Sequence, residues 1–147
     1  MILAIDPGNT QSAWFWIDAS GMPMSLFGKD ANAVLLDYLR RDWNTGPNLL
    51  AVEGIASYGM AVGKEVFDTC IWIGRFVEAW ESRGGTVRLV YRREVKLYLC
   101  ESARANDANI RAAIIDRFGP GKEKAIGKKS APGPLYGIKG DEWSALA

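Results

Sequence analysis

The chain has 147 residues and a formal net charge of +1, with 48% hydrophobic and 24% charged residues. This composition is typical of one soluble globular domain, expected to span residues 1–147, and the net charge does not point to a nucleic-acid partner. The chain has no histidine and only two cysteines, which excludes histidine general bases, Ser-His-Asp triads and zinc sites built on histidine or paired thiolates. An enzyme of this composition would depend on carboxylates, lysines or a metal ion held by oxygen ligands.

The sequence also predicts a cytoplasmic protein. Its N-terminal apolar stretch stops at Asp6 and has no basic leader, unlike a signal peptide. No apolar segment reaches the length of a membrane span. Cys70 and Cys100 lie within apolar helical patterns, so we expect both to be buried free thiols in a reducing compartment.

The first half of the chain predicts an antiparallel meander of strands, then a helix and a further strand. Short apolar runs separated by Gly, Pro and Asn turns are typical of a meander. Apolar residues at helical spacing follow Asp30, the expected N-cap of the first helix, and the fourth strand ends on Glu53 and Gly54. In chain order, we predict strands over residues 1–6, 11–18 and 23–29, a helix over 30–43 and a strand over 49–54.

The second half alternates helices with one more strand, which argues for a mixed sheet with helices on its faces. Asp107 is the expected N-cap of one helix. A stretch rich in Gly, Pro and Lys shows no periodicity and predicts a long loop. In chain order, we predict a helix over 62–83, a strand over 86–91, helices over 93–100 and 107–118, a loop over 119–137 and a last helix from Asp141.

The helix over 62–83 has an apolar arc about 160° wide, more than one sheet normally covers. Either the helix is enclosed within the monomer or part of it meets a partner subunit, and the second interpretation is favoured. The arc consists of Val66, Cys70, Trp72, Ile73, Phe76, Val77 and Trp80.

Basic residues are concentrated between Arg117 and Lys139. This segment holds six lysines and arginines against one acid, Glu123. Such a local excess is either a phosphate-binding tract or a solvated loop.

Three carboxylates from distant parts of the chain can meet at one edge of the predicted sheet. Asp6 ends the first strand and Glu53 the fourth, so both emerge at the same edge if these strands are parallel neighbours. Asp141 follows a loop long enough to bring it close. Three crowded acids repel one another and need a cation, and Mg²⁺ takes such ligands together with water.

Three segments, "AIDPGNT", "AVEGIASYG" and the terminal "DEWSALA", resemble in order and spacing the RuvC-type Holliday junction resolvases, and the brevity of the chain resembles a phage-type member. The resemblance implies an RNase H-like fold, an α/β structure with a mixed five-stranded sheet (three antiparallel strands, then two parallel) flanked by helices. It also implies a homodimer that cleaves four-way DNA junctions with paired nicks. Each subunit would use two Mg²⁺ ions, which Mn²⁺ can replace, with no membrane partner and no small-molecule cofactor.

The resemblance assigns roles to the acidic residues. Asp6 corresponds to the acid that bridges two metal ions, and Glu53 to the ligand on the fourth strand. Asp141 matches the first of two acids, one helical turn apart, on the last helix of the family. Ser144 stands at the second position, which is a departure, and Glu142 can replace that acid if the helix begins later.

The resemblance also identifies residues that would contact DNA. Lys96 corresponds to a basic residue near the scissile phosphate. A second lysine of the family aligns near Asp107, so its contact is missing or comes from Arg104 or Arg111. Arg93 is either a phosphate contact or part of a solvated helix face, and Tyr58 is either buried or an aromatic wedge at the junction centre. The basic tract would add Lys122, Lys124, Lys128, Lys129 and Lys139.

Three other functions remain open at this level. The segment "IDPGNT" also fits actin-like small-molecule kinases, whose glycine turn approaches nucleotide phosphates, although those need a second sheet domain. A related nuclease could act on flaps, other branched DNA or RNA. A non-catalytic junction-binding protein is conceivable because Ser144 stands in place of a ligand.

Overall fold

The computed structural model describes residues 1–41, 49–57, 59 and 61–147. Its strands are β1 (Ile2–Asp6), β2 (Gln11–Ile17), β3 (Pro23–Ala31), β4 (Leu49–Gly54), β5 (Thr86–Tyr91), β6 (Gly127–Lys128) and β7 (Ala131–Pro132). Its helices are α1 (Asn32–Leu39), α2 (Lys64–Glu81), α3 (Arg92–Cys100), α4 (Asp107–Phe118), α5 (Lys122–Ala125) and α6 (Glu142–Leu146).

The five long strands form one mixed sheet in the order β3-β2-β1-β4-β5. Strand β1 pairs antiparallel with β2 and parallel with β4, while β3 and β5 pair antiparallel and parallel with their inner neighbours. This arrangement confirms the predicted sheet of three antiparallel and two parallel strands. Because β1 and β4 are central, they are apolar on both faces, as a sheet covered on both sides requires.

Helices cover both faces of the sheet, so there are two apolar layers. Alternate residues of a strand point to opposite faces, and β1 accordingly sends Ile5 to one layer and Ala4 to the other. The first layer packs α1 and α2 on the sheet through Leu35, Leu39, Ile73, Phe76 and Trp80. The second packs α3, α4 and α6 through Val95, Ile110, Ile114, Trp143 and Leu146.

The prediction that Asp30 caps the first helix is wrong. Strand β3 stays paired with β2 through Ala31, so Asp30 is a strand residue. Its carboxylate accepts a hydrogen bond of 2.6 Å from Trp14 Nε1. Helix α1 begins at Asn32, and residue 43, where the helix was expected to end, lies outside the described residues.

The predicted burial of Cys70 is also wrong, since this thiol is exposed while Cys100 is half-buried. The sheet covers only the stripe of α2 that contains Ile73, Phe76 and Trp80, and Cys70 lies to one side of it. The cap of α4 differs as well, because Asn106, not Asp107, accepts a hydrogen bond from the Asn109 backbone N–H.

The predicted loop over 119–137 contains regular structure. Helix α5 is followed by a small hairpin in which β6 and β7 pair antiparallel. Ala125 and Leu135 anchor this segment, since both are fully buried in the second apolar layer.

No helix within the described ranges is long and apolar enough to span a membrane.

Candidate functional site

One row of residues across the sheet brings acidic and basic side chains to the same face. Lys29 pairs with Ala13, and Ala13 pairs with Asp6. Asp6 and Glu53 each follow the paired residues Ile5 and Val52 on parallel neighbours, and strands lie about 4.8 Å apart. The predicted meeting of Asp6 and Glu53 at one edge is therefore present, on the face covered by α3, α4 and α6.

The turn after Asp6 is fixed by a buried polar network. Ser12 Oγ donates to Asn32 Oδ1 over 2.6 Å and accepts from the Gly8 backbone N–H over 3.2 Å. Asn32 Nδ2 donates to the Gly8 carbonyl over 2.8 Å. Buried polar groups require such partners, and here they fix the turn that follows Asp6.

Asp141 comes to this edge from the other end of the chain. It precedes α6, which packs on β1 and β2. Its Oδ2 accepts a hydrogen bond of 2.6 Å from Lys29 Nζ, and both side chains are about half exposed. This hydrogen bond and the charge of Asp141 raise the pKa of Lys29, so the lysine stays charged beside the acids.

The acids influence one another electrostatically. Burial, then the charges of Glu53 and Asp141, raise the pKa of Asp6 to about 7, against the opposing effect of Arg92 and Lys29. Burial also raises the pKa of Glu53, while Arg92 and a hydrogen bond with Asp6 lower it. Burial is thus the main cause of both raised pKa values, and neighbouring acids add to that of Asp6; a cation at this edge would favour the charged form of both carboxylates.

Arg92 joins this group from the end of β5. Its Nη1 lies 3.8 Å from Glu53 Oε2, and its Nη2 donates a hydrogen bond to Asp107 Oδ1 at the start of α4. Lys29 and Arg92 are the two members of the site that sequence reasoning missed. Two signals in the sequence could have indicated them. Lys29 lies within a strand, on the face of the sheet that also holds Asp6, and Arg92 directly follows β5, the strand that pairs with the strand of Glu53.

The chemistry of the donor set, though not its present spacing, suits a hard divalent cation. Carboxylate oxygens are the ligands that Mg²⁺ prefers, and burial followed by the charges of Glu53 and Asp141 raises the pKa of Asp6. In the described part of the chain, no three acidic side chains are arranged closely enough to enclose one metal ion. Lys29 instead holds Asp141, and Arg92 lies beside Glu53, so basic groups balance part of the charge.

The last helix offers two further positions. Glu142 is only 7% exposed, and its Oε2 accepts a hydrogen bond of 2.8 Å from the Lys139 backbone N–H. This carboxylate therefore closes the turn before α6. Ser144 is half-buried and lines, with Glu53, a largely apolar cavity of about 130 Å³ between α6 and the sheet. A side chain at position 144 thus faces the same space as Glu53.

The predicted DNA-contacting residues fall into two groups. Lys96 and Arg93 line a cavity of about 290 Å³ together with Arg92 and Ala103. The second group is exposed on the segment after α4 and comprises Lys122 and Lys124 in α5, Lys128 and Lys129 in the β6–β7 hairpin, and Lys139 before α6. Tyr58 lies outside the described residues.

Arg104 and Arg111, the two predicted alternatives for a further DNA contact, lie in different surroundings. Arg111 lies over the Trp143 ring, 4.6 Å from its centroid, which uses the guanidinium to join α4 to α6. Arg104 lines a different cavity, with Cys100 and Asn109. The cation bound to Asp107 is Arg92.

The strand order, the mixture of parallel and antiparallel pairs, and the helices on both faces define an RNase H-like fold. Among solved structures with this fold is that of Thermus thermophilus RuvC, with a TM-score of 0.64 and 17% identity over 99% of this chain and 88% of that chain. RuvC of the same organism in complex with a Holliday junction substrate gives a TM-score of 0.64 and 16% identity over 99% of this chain and 87% of that one. At this identity the likeness establishes the fold.

No protein-family model and no curated protein sequence matches this chain. The chemistry of this chain is therefore inferred from its own acidic and basic residues and from its cavities.

Proposed function

We propose that this chain is a divalent-metal-dependent endonuclease that resolves four-way DNA junctions. The observation that carries the proposal is the convergence of Asp6, Glu53 and Asp141 on one sheet edge, where burial and mutual repulsion raise the pKa of Asp6 to about 7. It is supported by the fold shared with RuvC, which has been solved with a Holliday junction substrate.

Asp6, Glu53 and Asp141 would hold Mg²⁺, with Mn²⁺ as a substitute, and Glu142, whose Oε2 accepts a hydrogen bond from the Lys139 backbone N–H, is a further candidate ligand. Bound metal would supply Lewis-acid stabilisation and an activated water for in-line displacement at phosphorus. The chain's own residues position the DNA. Lys96 is half-buried in the basic cavity next to Arg92, where its ammonium can bind a phosphate oxygen as a point charge.

The exposed basic groups would bind the DNA backbone away from the reacting phosphate. The lysines of α5, the β6–β7 hairpin and Lys139 project from the segment that leads into Asp141, and Arg93 extends this surface to α3. Phosphate contacts of this kind orient a duplex without reading its sequence. Selection of a branch point would therefore rest on the shape of the DNA, with Tyr58 as the proposed aromatic contact at its centre.

The proposal includes a cytoplasmic homodimer of single-domain subunits, residues 1–147. Paired nicks in a four-way junction require two sites related by the two-fold symmetry of a dimer. The kinase alternative is less well supported, because the Gly8 N–H that would approach a nucleotide phosphate donates to Ser12.

The test is incubation with a synthetic four-way junction, a flap, a Y-fork and a linear duplex, each with Mg²⁺ and with EDTA. We expect symmetric nicks in the junction that require the metal ion. Cleavage of flaps or forks alone would indicate a related nuclease, and binding without cutting under all conditions would indicate a non-catalytic junction-binding protein.

Three matched variants test the site itself. Asp6→Asn, Glu53→Gln and Asp141→Asn each keep the shape of the side chain and remove its charge, so each should reduce cleavage to background while junction binding in EDTA persists. Asp116→Asn removes an exposed acid of α4 and should cleave like the wild type. A variant of the first three that cuts at the wild-type rate would remove that residue from the site.

A further inference from the structure

Arg92 has an arrangement that its salt bridges alone do not explain. Its Nη2 is bonded to Asp107, but Nη1 is buried, makes no hydrogen bond to any described residue and lies 3.8 Å from Glu53 Oε2. That distance is too long for a hydrogen bond. A buried donor without a partner destabilises the folded state, so its retention calls for a ligand or a role.

The surroundings of this donor indicate the chemistry of its ligand. Arg92, Arg93 and Lys96 line a cavity of about 290 Å³ together with Ala103, and no acid lines it. Three cationic side chains around an open space favour an anion, and a guanidinium edge is suited to the paired oxygens of a phosphate. The cavity adjoins the acidic edge of the sheet, since Arg92 reaches Glu53 from it.

We propose that Arg92 binds a phosphate group of the nucleic acid next to the acidic site, and that Asp107 is the positioning residue that holds it there; this inference rests on the proposed nuclease function. With Nη2 bound to Asp107, the guanidinium is held within 3.8 Å of Glu53 while Arg92 also lines the basic cavity.

The substitution Asp107→Asn separates positioning from charge. It removes a negative charge near the DNA, so general electrostatics predicts equal or tighter binding of a four-way junction. If Asp107 positions Arg92, the same variant should cleave roughly tenfold more slowly at saturating junction, because a misplaced phosphate contact acts on the reaction and not on affinity. Cleavage at the wild-type rate would overturn the role of Asp107.

Arg92 itself is tested by binding in EDTA at several salt concentrations and by single-turnover cleavage in Mg²⁺. Arg92→Gln should lower the dependence of DNA binding on salt concentration by about one phosphate contact and should also slow cleavage at saturating DNA. Arg92→Lys should restore the salt dependence of binding but only part of the cleavage rate. Arg40→Gln removes one exposed charge at the end of α1, in the opposite layer of the fold, and is the matched control that should change neither readout. Equal effects of Arg92→Gln and Arg40→Gln on both readouts would contradict the proposal.

A separate measurement distinguishes failure of this inference from failure of the proposed function. Inorganic phosphate should raise the melting temperature of the wild type and have a smaller effect on Arg92→Gln, whether or not the protein cuts DNA. If the wild type cuts no DNA but this difference is present, the nuclease proposal fails and the phosphate site stands. If phosphate stabilises both proteins equally, the site is wrong even where cleavage is observed.

Discussion

At the scale of single residues, the protonation of Asp6 links the site to the stability of the protein. An ordinary aspartate has a pKa of 3.8, and burial with neighbouring acids raises the pKa of Asp6 to about 7. Between these values the folded chain retains a proton that the unfolded chain has lost, so the free energy of unfolding falls as pH rises. Glu53, whose pKa is also raised by burial, acts in the same direction.

We therefore predict that the metal-free protein loses stability between about pH 4 and pH 7, by an amount on the order of a few kcal/mol, since each pKa unit is worth about 1.4 kcal/mol. Asp6→Asn should flatten this dependence and melt at a higher temperature than the wild type above about pH 7. Mg²⁺ should stabilise the wild type more at high pH than at low pH. Thermal melts across this range check the prediction, and a wild-type curve that Asp6→Asn leaves unchanged would contradict it.

Ser144 gives a second prediction at this scale. Its side chain shares a cavity with Glu53, so an acid at this position would add negative charge beside the existing carboxylates. Ser144→Asp should lower the melting temperature in EDTA through repulsion and burial, and it should lower the Mg²⁺ concentration that gives half-maximal cleavage. Ser144→Asn is the uncharged control, and the same Mg²⁺ requirement in both variants would show that residue 144 does not face the metal.

Several residue-level features could be predicted because they follow from strand ends. Asp6 and Glu53 could be expected at one edge once β1 and β4 were taken as parallel neighbours. The roles of Lys29 and Arg92 could not be predicted. Lys29 reaches the site because the register of β3 pairs it with Ala13, which in turn pairs with Asp6. Arg92 reaches it through contacts with Glu53 and Asp107, which are distant in sequence. The hydrogen bond that Glu142 accepts from the Lys139 backbone N–H could not be predicted either, since the spacing of acids along the chain does not indicate it.

At the scale of elements, periodicity predicted the five long strands and the long helices, and it failed where side chains compete with local propensity. Asp30 has the composition of a helix cap, yet the ladder with β2 and the bond from Trp14 keep it in a strand. The β6–β7 hairpin was missed because two-residue strands carry no periodic signal. Its position depends on Ala125 and Leu135, which are buried by distant elements.

The hairpin leads to a prediction about DNA binding. Lys128 and Lys129 lie at its exposed end, on a scaffold held by buried residues, so their charges have a defined location. Replacing both with Gln should weaken junction binding and reduce the salt slope by up to about two phosphate contacts, with little change in the cleavage rate at saturating DNA.

A double variant at Arg40 and Arg41, which lie beyond α1 on the opposite layer, serves as the control for this loss of charge. Binding measured at several salt concentrations separates the two sites. If the Gln variants at the hairpin and at the control site lower the slope equally, the hairpin has no specific role.

At the scale of the whole molecule, α2 shows an outer face that the fold does not cover. The helix buries Ile73, Phe76 and Trp80 against the sheet, while Phe67 and Ile71 on the opposite side are 59% and 61% exposed. The exposed surface of this helix thus includes Phe67 and Ile71, which lie outside the predicted arc, and Cys70, which lies within it. Exposed apolar side chains of this size on one face are typical of a protein interface.

The charges on this face suit a second copy of the chain. Lys64 and Glu78 each lie seven residues from Ile71, which is about two helical turns and so the same face. Two α2 helices packed antiparallel about Ile71 would bring Lys64 of each copy next to Glu78 of the other, as an isologous contact requires. The proposed homodimer can therefore be tested at positions that are remote from the acidic edge.

We predict that the double variant Phe67→Ser with Ile71→Ser is monomeric, as measured by light scattering. It should make single nicks in a four-way junction in place of paired nicks. Lys64→Glu should also weaken the dimer, since it places two acids at each end of the contact, and the double variant Lys64→Glu with Glu78→Lys should restore it. Recovery by the charge swap separates a specific contact from general loss of stability, which thermal melts monitor in parallel. A wild type that is monomeric at all concentrations, or a swap that fails to recover what Lys64→Glu loses, would exclude this face as the dimer contact.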